Sequence, residues 1–189
     1  MPLVEDGRSG KVAFVAHCLL NQNAKVNGFV KVPSGYSRLA SYLLNKGYGI
    51  VQLPCPETAF LGLRRWWHVR EQYDSLGYRD FCRKILYPTI LMMKEFYKAG
   101  FEIIVIGVDG SPSCGVNYSG TSEIWGGEPS LERGLEYPIK EGMAPFMEEL
   151  LKEARRVGIE NIRMIGLKID FPEFNEEKAI EELDKILQS

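Results

Sequence analysis

Hydrophobic positions along the chain follow two periodicities in turn, which predicts alternating strands and helices. Short apolar runs rich in β-branched residues predict four strands, at 11–17, 49–53, 101–108 and 161–169. Apolar stripes with helical spacing predict helices at 35–46, 79–99, 144–157 and after Asn175. Pro88 lies inside the second of these helices, so we expect a kink or a break there.

This alternation favours the α/β class. We expect a small three-layer, Rossmann-like fold with a mostly parallel sheet of about four strands. A length of 189 residues is typical of one domain, so residues 1–189 are interpreted as a single domain.

Two segments with little periodicity, 58–77 and 116–137, predict long connections. A long connection inside a compact domain is usually functional or disordered, and adjacent tryptophans argue against disorder. The first connection contains the polar and aromatic run Arg64, Arg65, Trp66, Trp67 and His68. These residues could form a lid that stacks on a planar ring or pairs with an anionic group. They could equally anchor the loop to the core or lie in a dimer interface, so a homodimer stays open.

Composition narrows the class of partner. The chain is 45% hydrophobic and 25% charged, with a net charge of −2, which is ordinary for a soluble globular protein and offers no basic surface for nucleic acid or membrane. No apolar run approaches the roughly 20 residues of a membrane helix, and the N-terminus lacks the apolar core of a signal peptide. We therefore expect a cytoplasmic protein whose cysteines are free, metal-bound or catalytic.

Three of the four cysteines, Cys18, Cys55 and Cys114, each follow one of the first three predicted strands. Ligands bind outside the carboxyl ends of parallel strands, so we expect these thiols to converge there. Three thiolates suit zinc with one open position, or an iron–sulfur cluster with one iron lacking a protein ligand. Each could also be a small buried residue at a turn. Cys82, in the apolar stripe of a helix, is interpreted as a core residue.

Polar residues beside these cysteines are candidates for acid–base chemistry. Glu57 could act as a general base or be a solvated loop carboxylate. Ser111 and Ser113 could donate hydrogen bonds to a substrate or cap the turn, with Ser111 slightly preferred. Asp109 is a further candidate or a turn former, and His17 could supply a ligand or a proton or point away.

Three short motifs then occur in a fixed order: CLL at 18–20 with NG at 27–28, CPE at 55–57, and SPSCG at 111–115. This set resembles the motifs of the 2-thiouracil desulfurase family, which includes the DUF523 proteins. The resemblance implies a compact α/β domain that holds a 4Fe–4S cluster on Cys18, Cys55 and Cys114, with the fourth iron free to take the sulfur of a thiocarbonyl substrate. It also implies that Glu57 and a serine of the SPSCG motif assist a hydrolytic, non-redox desulfuration.

The sequence departs from that pattern at loop positions. Val26-Asn27-Gly28 stands where the family has tyrosine, aspartate and glycine, Asn21 stands where it has glycine, and 60–67 replaces a stretch rich in glycine and proline. These departures concern the pocket more than the cysteines. The expected partner is a small sulfur-containing compound whose sulfur leaves as sulfide. The alternative is an iron–sulfur or zinc module that binds or senses without turnover.

Overall fold

A computed structural model describes residues 6–126 and 138–188 of the chain. Its strands are β1 (Lys11–Val15), β2 (Tyr48–Gln52), β3 (Glu102–Val108), β4 (Tyr118–Gly120), β5 (Ile139–Glu141) and β6 (Arg163–Leu167). Its helices are α1 (His17–Leu20), α2 (Ser37–Asn45), α3 (Pro56–Leu61), α4 (Arg70–Tyr73), α5 (Leu76–Lys98), α6 (Pro145–Arg156) and α7 (Glu176–Gln188), with a 3-10 helix at Gln22–Ala24.

The main sheet is parallel and has the order β2-β1-β3-β6. Helix α5 packs against α6, and α2 packs against α7, so helices flank the sheet in a Rossmann-like, three-layer arrangement. The predicted fold class is therefore confirmed. The chain passes from β1 to β2 on one side and then to β3 on the other, which makes the carboxyl ends of β1 and β3 a topological switch point.

The central strands are buried because helices cover both faces of the sheet. Phe14 on β1 and Val105 and Ile106 on β3 have no exposed surface. A strand that is buried on both faces carries a continuous apolar run, which is why the sequence of β3 shows no polar alternation. Cys82 is also fully buried, on α5, so its interpretation as a core residue is confirmed.

Helix α5 is longer than predicted and is not broken. It begins at Leu76 because Ser75 caps it, with Ser75 Oγ accepting from the backbone N–H of Tyr78 at 3.2 Å. It continues through Pro88, so the expected break is absent. A proline inside a helix costs about 3 kcal/mol. Burial of Leu86 and Met93 on either side of it holds the helix against the core.

The two predicted connections contain short elements. Residues 56–61 and 70–73 form α3 and α4, so the segment 58–77 is not a continuous loop. Residues 118–120 form β4, which pairs antiparallel with β5. Residues 127–137 of the second predicted connection lie outside the described residues. No helix in the described ranges, 6–126 and 138–188, is long and apolar enough to cross a membrane.

The turn after β3 is held by one buried carboxylate. Asp109 Oδ1 accepts hydrogen bonds from the backbone N–H groups of Val116, Asn117 and Tyr118, at 2.9, 2.8 and 3.3 Å. Gly166 on β6 lies directly against this group, since an added Cβ would stand 2.2 Å from Asp109 Oδ1. The close approach of strand and carboxylate therefore requires glycine at position 166.

Gly166→Ala should lower the free energy of unfolding by about 2 to 4 kcal/mol, because the new methyl group would displace the carboxylate that closes the turn. Denaturant unfolding measures the change. Gly77→Ala is the matched control, since it lies in the first turn of α5 with nothing within 4 Å of the added Cβ, and it should be neutral or slightly stabilising. Equal effects of the two substitutions would contradict this account.

Candidate active site

A cavity opens at the carboxyl edge of the sheet, over the switch point. The space within it is about 550 Å³, a figure that includes space open to solvent. The segments that follow β1, β2, β3 and β6 all contribute to its wall. Its lining residues are His17, Cys18, Ala24, Lys25, Val26, Phe29, Cys55, Glu57, Arg65, Trp67, His68, Ser111, Pro112, Ser113, Cys114 and Asp170.

Cys18 enters this cavity from the helical turn α1, directly after β1. The loop behind it is braced by Gln22, which is completely buried. Gln22 Nε2 donates to the carbonyl oxygen of Cys18 at 2.6 Å, and Gln22 Oε1 accepts from the backbone N–H of Lys31 at 3.2 Å. The backbone that carries the first thiol is therefore fixed by a buried amide.

Cys55 occupies the cap position of α3, directly after β2. Its Sγ accepts from the backbone N–H of Thr58 at 3.4 Å. Thr58 Oγ1 in turn donates to the carbonyl oxygen of Ala24 at 2.9 Å, in the loop that follows Cys18. This contact ties the second cysteine segment to the first.

Cys114 lies in a loop that folds back on β3. The backbone N–H of Val108 donates to the carbonyl oxygen of Cys114 at 2.9 Å. Gly107 permits this approach, since an added Cβ would be 2.6 Å from the same oxygen. The carbonyl oxygen of Ser113 accepts from the backbone N–H of Phe146, in the first turn of α6, at 3.2 Å. Both a strand and a helix therefore position the third thiol.

Two of the thiols, Cys18 and Cys114, lie close enough to other charged groups of the cavity for their pKa values to be shifted. Burial raises the pKa of Cys18 to about 12, with further contributions from the charges of Asp170, Cys55 and Glu57, while the Lys25 ammonium opposes the rise. Burial also raises the pKa of Cys114 well above its ordinary value, and the charges of Cys18 and Cys55 add to the shift. Without a bound cation, Cys18 and Cys114 therefore stay protonated at neutral pH.

Glu57 lies beside these thiols with both carboxylate oxygens engaged. Ser113 Oγ donates to Glu57 Oε1 at 2.5 Å and also lies 3.4 Å from Cys114 Sγ. Arg65 Nε donates to Glu57 Oε2 at 3.0 Å, and the Arg65 side chain is only 3% exposed. Arg65 also donates to the carbonyl oxygens of Gly62 and Ala24, at 2.9 and 2.8 Å. The carboxylate is thus held by a buried cation that is itself fixed.

A cluster of aromatic rings lies behind Glu57. His68 Nδ1 is 3.3 Å from the Tyr73 hydroxyl, and Tyr73 packs on Tyr78 with ring centroids 4.8 Å apart. Burial lowers the pKa of His68, so its imidazole is neutral at pH 7. Burial, and then the charge of Glu57, raises the pKa of Tyr73. Beyond Arg65 and Ser113, therefore, Glu57 lies near a neutral imidazole and a protonated phenol.

The structure separates the two serine candidates. Ser111 Oγ accepts from the backbone N–H groups of Ser113 and Cys114, at 3.4 and 3.2 Å, which is the turn-capping role. Ser113 Oγ contacts Glu57 and Cys114 instead. Although both serines line the cavity, the geometry favours Ser113, whereas the sequence slightly favoured Ser111.

The other two candidates have structural partners. Asp109 does not line the cavity, because its carboxylate closes the turn after β3. His17 does line it, but Nδ1 is 3.2 Å from the carbonyl oxygen of Leu53 and Nε2 is 3.3 Å from Asn21 Nδ2. Both nitrogens of His17 are thus engaged with neighbouring segments.

The run from Arg64 to His68 divides between the cavity and the surface. Arg65, Trp67 and His68 line the cavity, while Arg64 is exposed and Trp66 is 75% exposed. Trp67 packs against Phe29 and Trp125, with ring centroids 5.9 and 6.3 Å away. This segment therefore supplies one wall of the cavity.

Sequence reasoning did not identify two charged residues of the site. Lys25 and Asp170 form an ion pair in the cavity wall, and each side chain is 8% exposed. Asp170 directly follows the predicted strand 161–169. The cysteines were selected because they follow predicted strands, so the same reasoning would have identified Asp170. Lys25 carries no sequence signal, because its partner lies at the far end of the chain.

The described residues do not form a ready-made site for a metal ion. Among residues 6–126 and 138–188, no three side chains of histidine, cysteine, aspartate or glutamate form a group that could hold a single metal ion. A single tetrahedral zinc with bonds of about 2.3 Å needs sulfur atoms about 3.8 Å apart. The ligands of an iron–sulfur cluster are attached to different iron atoms and are spread more widely.

Comparison with known proteins supports the family resemblance that the three ordered motifs indicate. "Uncharacterized protein MJ0003" of Methanocaldococcus jannaschii is 31% identical over 180 residues, which cover 94% of this chain and 97% of that protein. No solved structure matches the chain. A family described as "Putative 2-thiouracil desulfurase" matches residues 11–186, which include all three cysteine motifs, and the chain belongs to this family.

Proposed function

We propose that this protein is a desulfurase that removes sulfur hydrolytically from a small thiocarbonyl compound, with a 4Fe–4S cluster held by Cys18, Cys55 and Cys114. One observation carries the proposal. Three thiols from three strand ends share a cavity with Glu57, which Arg65 and the hydroxyl of Ser113 hold in place. The family to which the chain belongs supports the desulfurase activity.

The donor set supports the cluster. Thiolates are the preferred ligands of iron–sulfur centres, and three cysteines line this one cavity. When bound on three cysteines, a cluster supplies one iron that can act as a soft Lewis acid toward sulfur.

The reaction needs water, a base and a leaving sulfur atom. Water adds its oxygen to the thiocarbonyl carbon, the C–S bond breaks, and sulfur leaves as sulfide, so the carbon keeps its oxidation state and no external reductant is consumed. The Glu57 carboxylate would take the proton of the attacking water. Arg65 and Ser113 keep this carboxylate from turning away, because each holds one of its oxygens.

The remaining wall would position the substrate. Phe29 and Trp67 meet at the cavity with their rings tilted by 54°, and they offer apolar surface to a planar ligand. Val26, one of the departures from the family motifs, also lines the cavity, while Asn27 is exposed. Since Val26 and Trp67 differ from the pattern that the motifs resemble, the preferred ring need not be thiouracil.

Serine in place of Cys18, Cys55 or Cys114 should abolish cluster retention after anaerobic reconstitution with iron and sulfide, because a hydroxyl is a poor, hard ligand for these centres. Visible absorbance and bound iron measure retention. Cys82→Ser is the matched control, since Cys82 is buried in α5 away from the cavity. It should keep the cluster and lose only stability. Loss of the cluster in the control alone would overturn the ligand assignment.

Glu57→Gln should reduce sulfide release by about 10²-fold or more while cluster absorbance persists, because the amide keeps the shape of the side chain but cannot accept the proton. The assay tests thiopyrimidines, thiopurines and thioamides without added reductant and measures sulfide. Glu160→Gln, at an exposed position, is the control and should be fully active. Unchanged activity in Glu57→Gln would remove this residue from the mechanism. A fully loaded wild-type protein that is inactive on every compound would favour the sensing alternative.

The metal-free protein should lose stability as the pH rises above about 9. A thiol with an ordinary pKa of 9.0 and a folded-state pKa of about 12, as for Cys18, keeps its proton when folded and loses it when unfolded. The unfolded state then binds fewer protons than the folded state. The free energy of unfolding therefore falls by up to about 1.4 kcal/mol per pH unit for each such thiol. Denaturant unfolding at pH 7.5, 9 and 10 under reducing conditions measures the decline. The double variant Cys18→Ser/Cys114→Ser should decline less steeply, and equal slopes would contradict the prediction.

A further inference from the structure

The outward face of α5 is apolar at its middle. A surface helix normally buries one apolar stripe and keeps polar residues on its other side. Helix α5 buries such a stripe, yet Tyr87, Leu91 and Met92 on its outward side are 60%, 47% and 46% exposed. Pro88, between them, is exposed as well. No other element among residues 6–126 and 138–188 covers this face, so a helix that is apolar on both sides is packed on only one.

The apolar surface continues from α5 onto α3. Phe60 of α3 is 46% exposed and packs on Phe81 of α5, with ring centroids 5.0 Å apart. Leu61, beside it, is exposed too. Phe81, Ile85 and Met92 lie along one side of α5 at helical spacing, so they join Phe60 to the exposed stretch. Single exposed apolar residues need no explanation, but a continuous patch indicates a contact surface.

Exposed charges flank the apolar stretch at both ends. Asp80 and Lys84 precede it, and Glu95 and Lys98 follow it, so the signs run negative, positive, negative, positive along the helix. Lys84 Nζ lies 2.7 Å from Asp80 Oδ2, and Lys98 Nζ lies 2.9 Å from Glu95 Oε1. All four side chains are at least half exposed, and exposed pairs of this kind contribute little to stability. Their charges therefore remain available to a second surface.

This order of charges is complementary to itself when a second copy of the helix runs antiparallel. Lys84 and Glu95 each lie three residues beyond the apolar stretch Tyr87–Met92, one at either end. In an antiparallel pair centred on that stretch, Lys84 of each copy lies opposite Glu95 of the other. A two-fold axis perpendicular to a helix produces this arrangement, which is the isologous interface of a symmetric dimer. The charge pattern thus selects a second copy of this chain as the occupant.

We propose that the protein forms a two-fold symmetric dimer in which α5 packs antiparallel against α5 of a second copy. The stretch Tyr87–Met92 is the centre of the interface, and the two identical pairs of Lys84 and Glu95 close its ends. Phe60 and Leu61 enlarge the contact beyond one helix pair, since a specific interface buries about 800 Å² on each partner. None of these residues lines the cavity, so the inference goes beyond the proposed function and does not depend on it.

The test measures the mass of the full chain by sedimentation equilibrium over a concentration series, under reducing conditions that exclude disulfide-linked species. The wild-type protein should approach twice the chain mass of 21.4 kDa. Leu91→Glu places a charge in the apolar centre and should weaken the dimer by about 100-fold or more. Leu44→Glu is the matched control, because Leu44 is 60% exposed on α2, which packs against α7. It should dimerise like the wild type.

Charge exchange tests the antiparallel register. Lys84→Glu and Glu95→Lys each place like charges opposite one another at both ends of the interface, so each should weaken the dimer by about 10-fold or more. Lys84→Glu/Glu95→Lys restores opposite charges and should recover the wild-type affinity. An equimolar mixture of the two single variants should also dimerise, because each chain then supplies the charge that the other lacks. These exposed positions decide the result if Leu91→Glu does not fold, with the unfolding midpoint as the check.

A wild-type protein that stays monomeric would overturn the proposal, as would equal effects of Leu91→Glu and Leu44→Glu. Failure of the double charge exchange to recover the dimer would also overturn it, because Lys84 and Glu95 would then not face each other. A monomer that binds vesicles of phosphatidylcholine and phosphatidylglycerol, and loses that binding in Leu91→Glu, would assign this face to a membrane instead.

Discussion

The parallel order β2-β1-β3-β6 is the constraint on which the site depends. In a sheet of this kind the segments that follow neighbouring strands must leave at one edge, and the reversal between β1 and β3 opens a crevice there. Cys18, Cys55 and Cys114 are distant in sequence, yet each follows one of three adjacent strands. Topology therefore gathers the thiols, and no local spacing motif is needed. The same edge receives Asp170 from the end of β6.

Polar contacts then fix the loops that the sheet brings together. The carbonyl oxygen of Ala24 accepts from both Thr58 Oγ1 and Arg65, so one backbone group links the loop after β1 to the segment after β2. A buried guanidinium is costly unless its donors are satisfied, and Arg65 finds Glu57, Ala24 and Gly62. As a result the position of the Glu57 carboxylate depends on the loop that carries Cys18. The candidate base and the candidate ligands form one connected unit.

The fold was predictable from sequence because its main elements are long enough to show a period. The continuous apolar run of β3 and the apolar stripe of α5 are clear in the sequence. Three short elements, β4, β5 and α4, have only three or four residues each, which is too few to show a hydrophobic period. Convergence of the cysteines followed from their positions after strands. The sequence did not show which of the two serines faces Glu57, because the backbone conformation of the turn determines which hydroxyl points into the cavity. The partner of Lys25 lies at the other end of the chain, so only the folded structure reveals it.

The electrostatics of the cavity bear on the proposal that it holds a cationic centre. Its two carboxylates are each paired with a cation from another segment, Glu57 with Arg65 and Asp170 with Lys25. Each pair is neutral overall, although the Lys25 ammonium still lowers the pKa of Cys18. Burial, with smaller contributions from neighbouring negative charges, keeps Cys18 and Cys114 protonated at neutral pH in the absence of a bound cation. Binding of a metal centre would then release those protons, because the ligands must be thiolates. Because both ion pairs are neutral overall, the cysteine thiols are the groups whose charge would change when a metal centre binds.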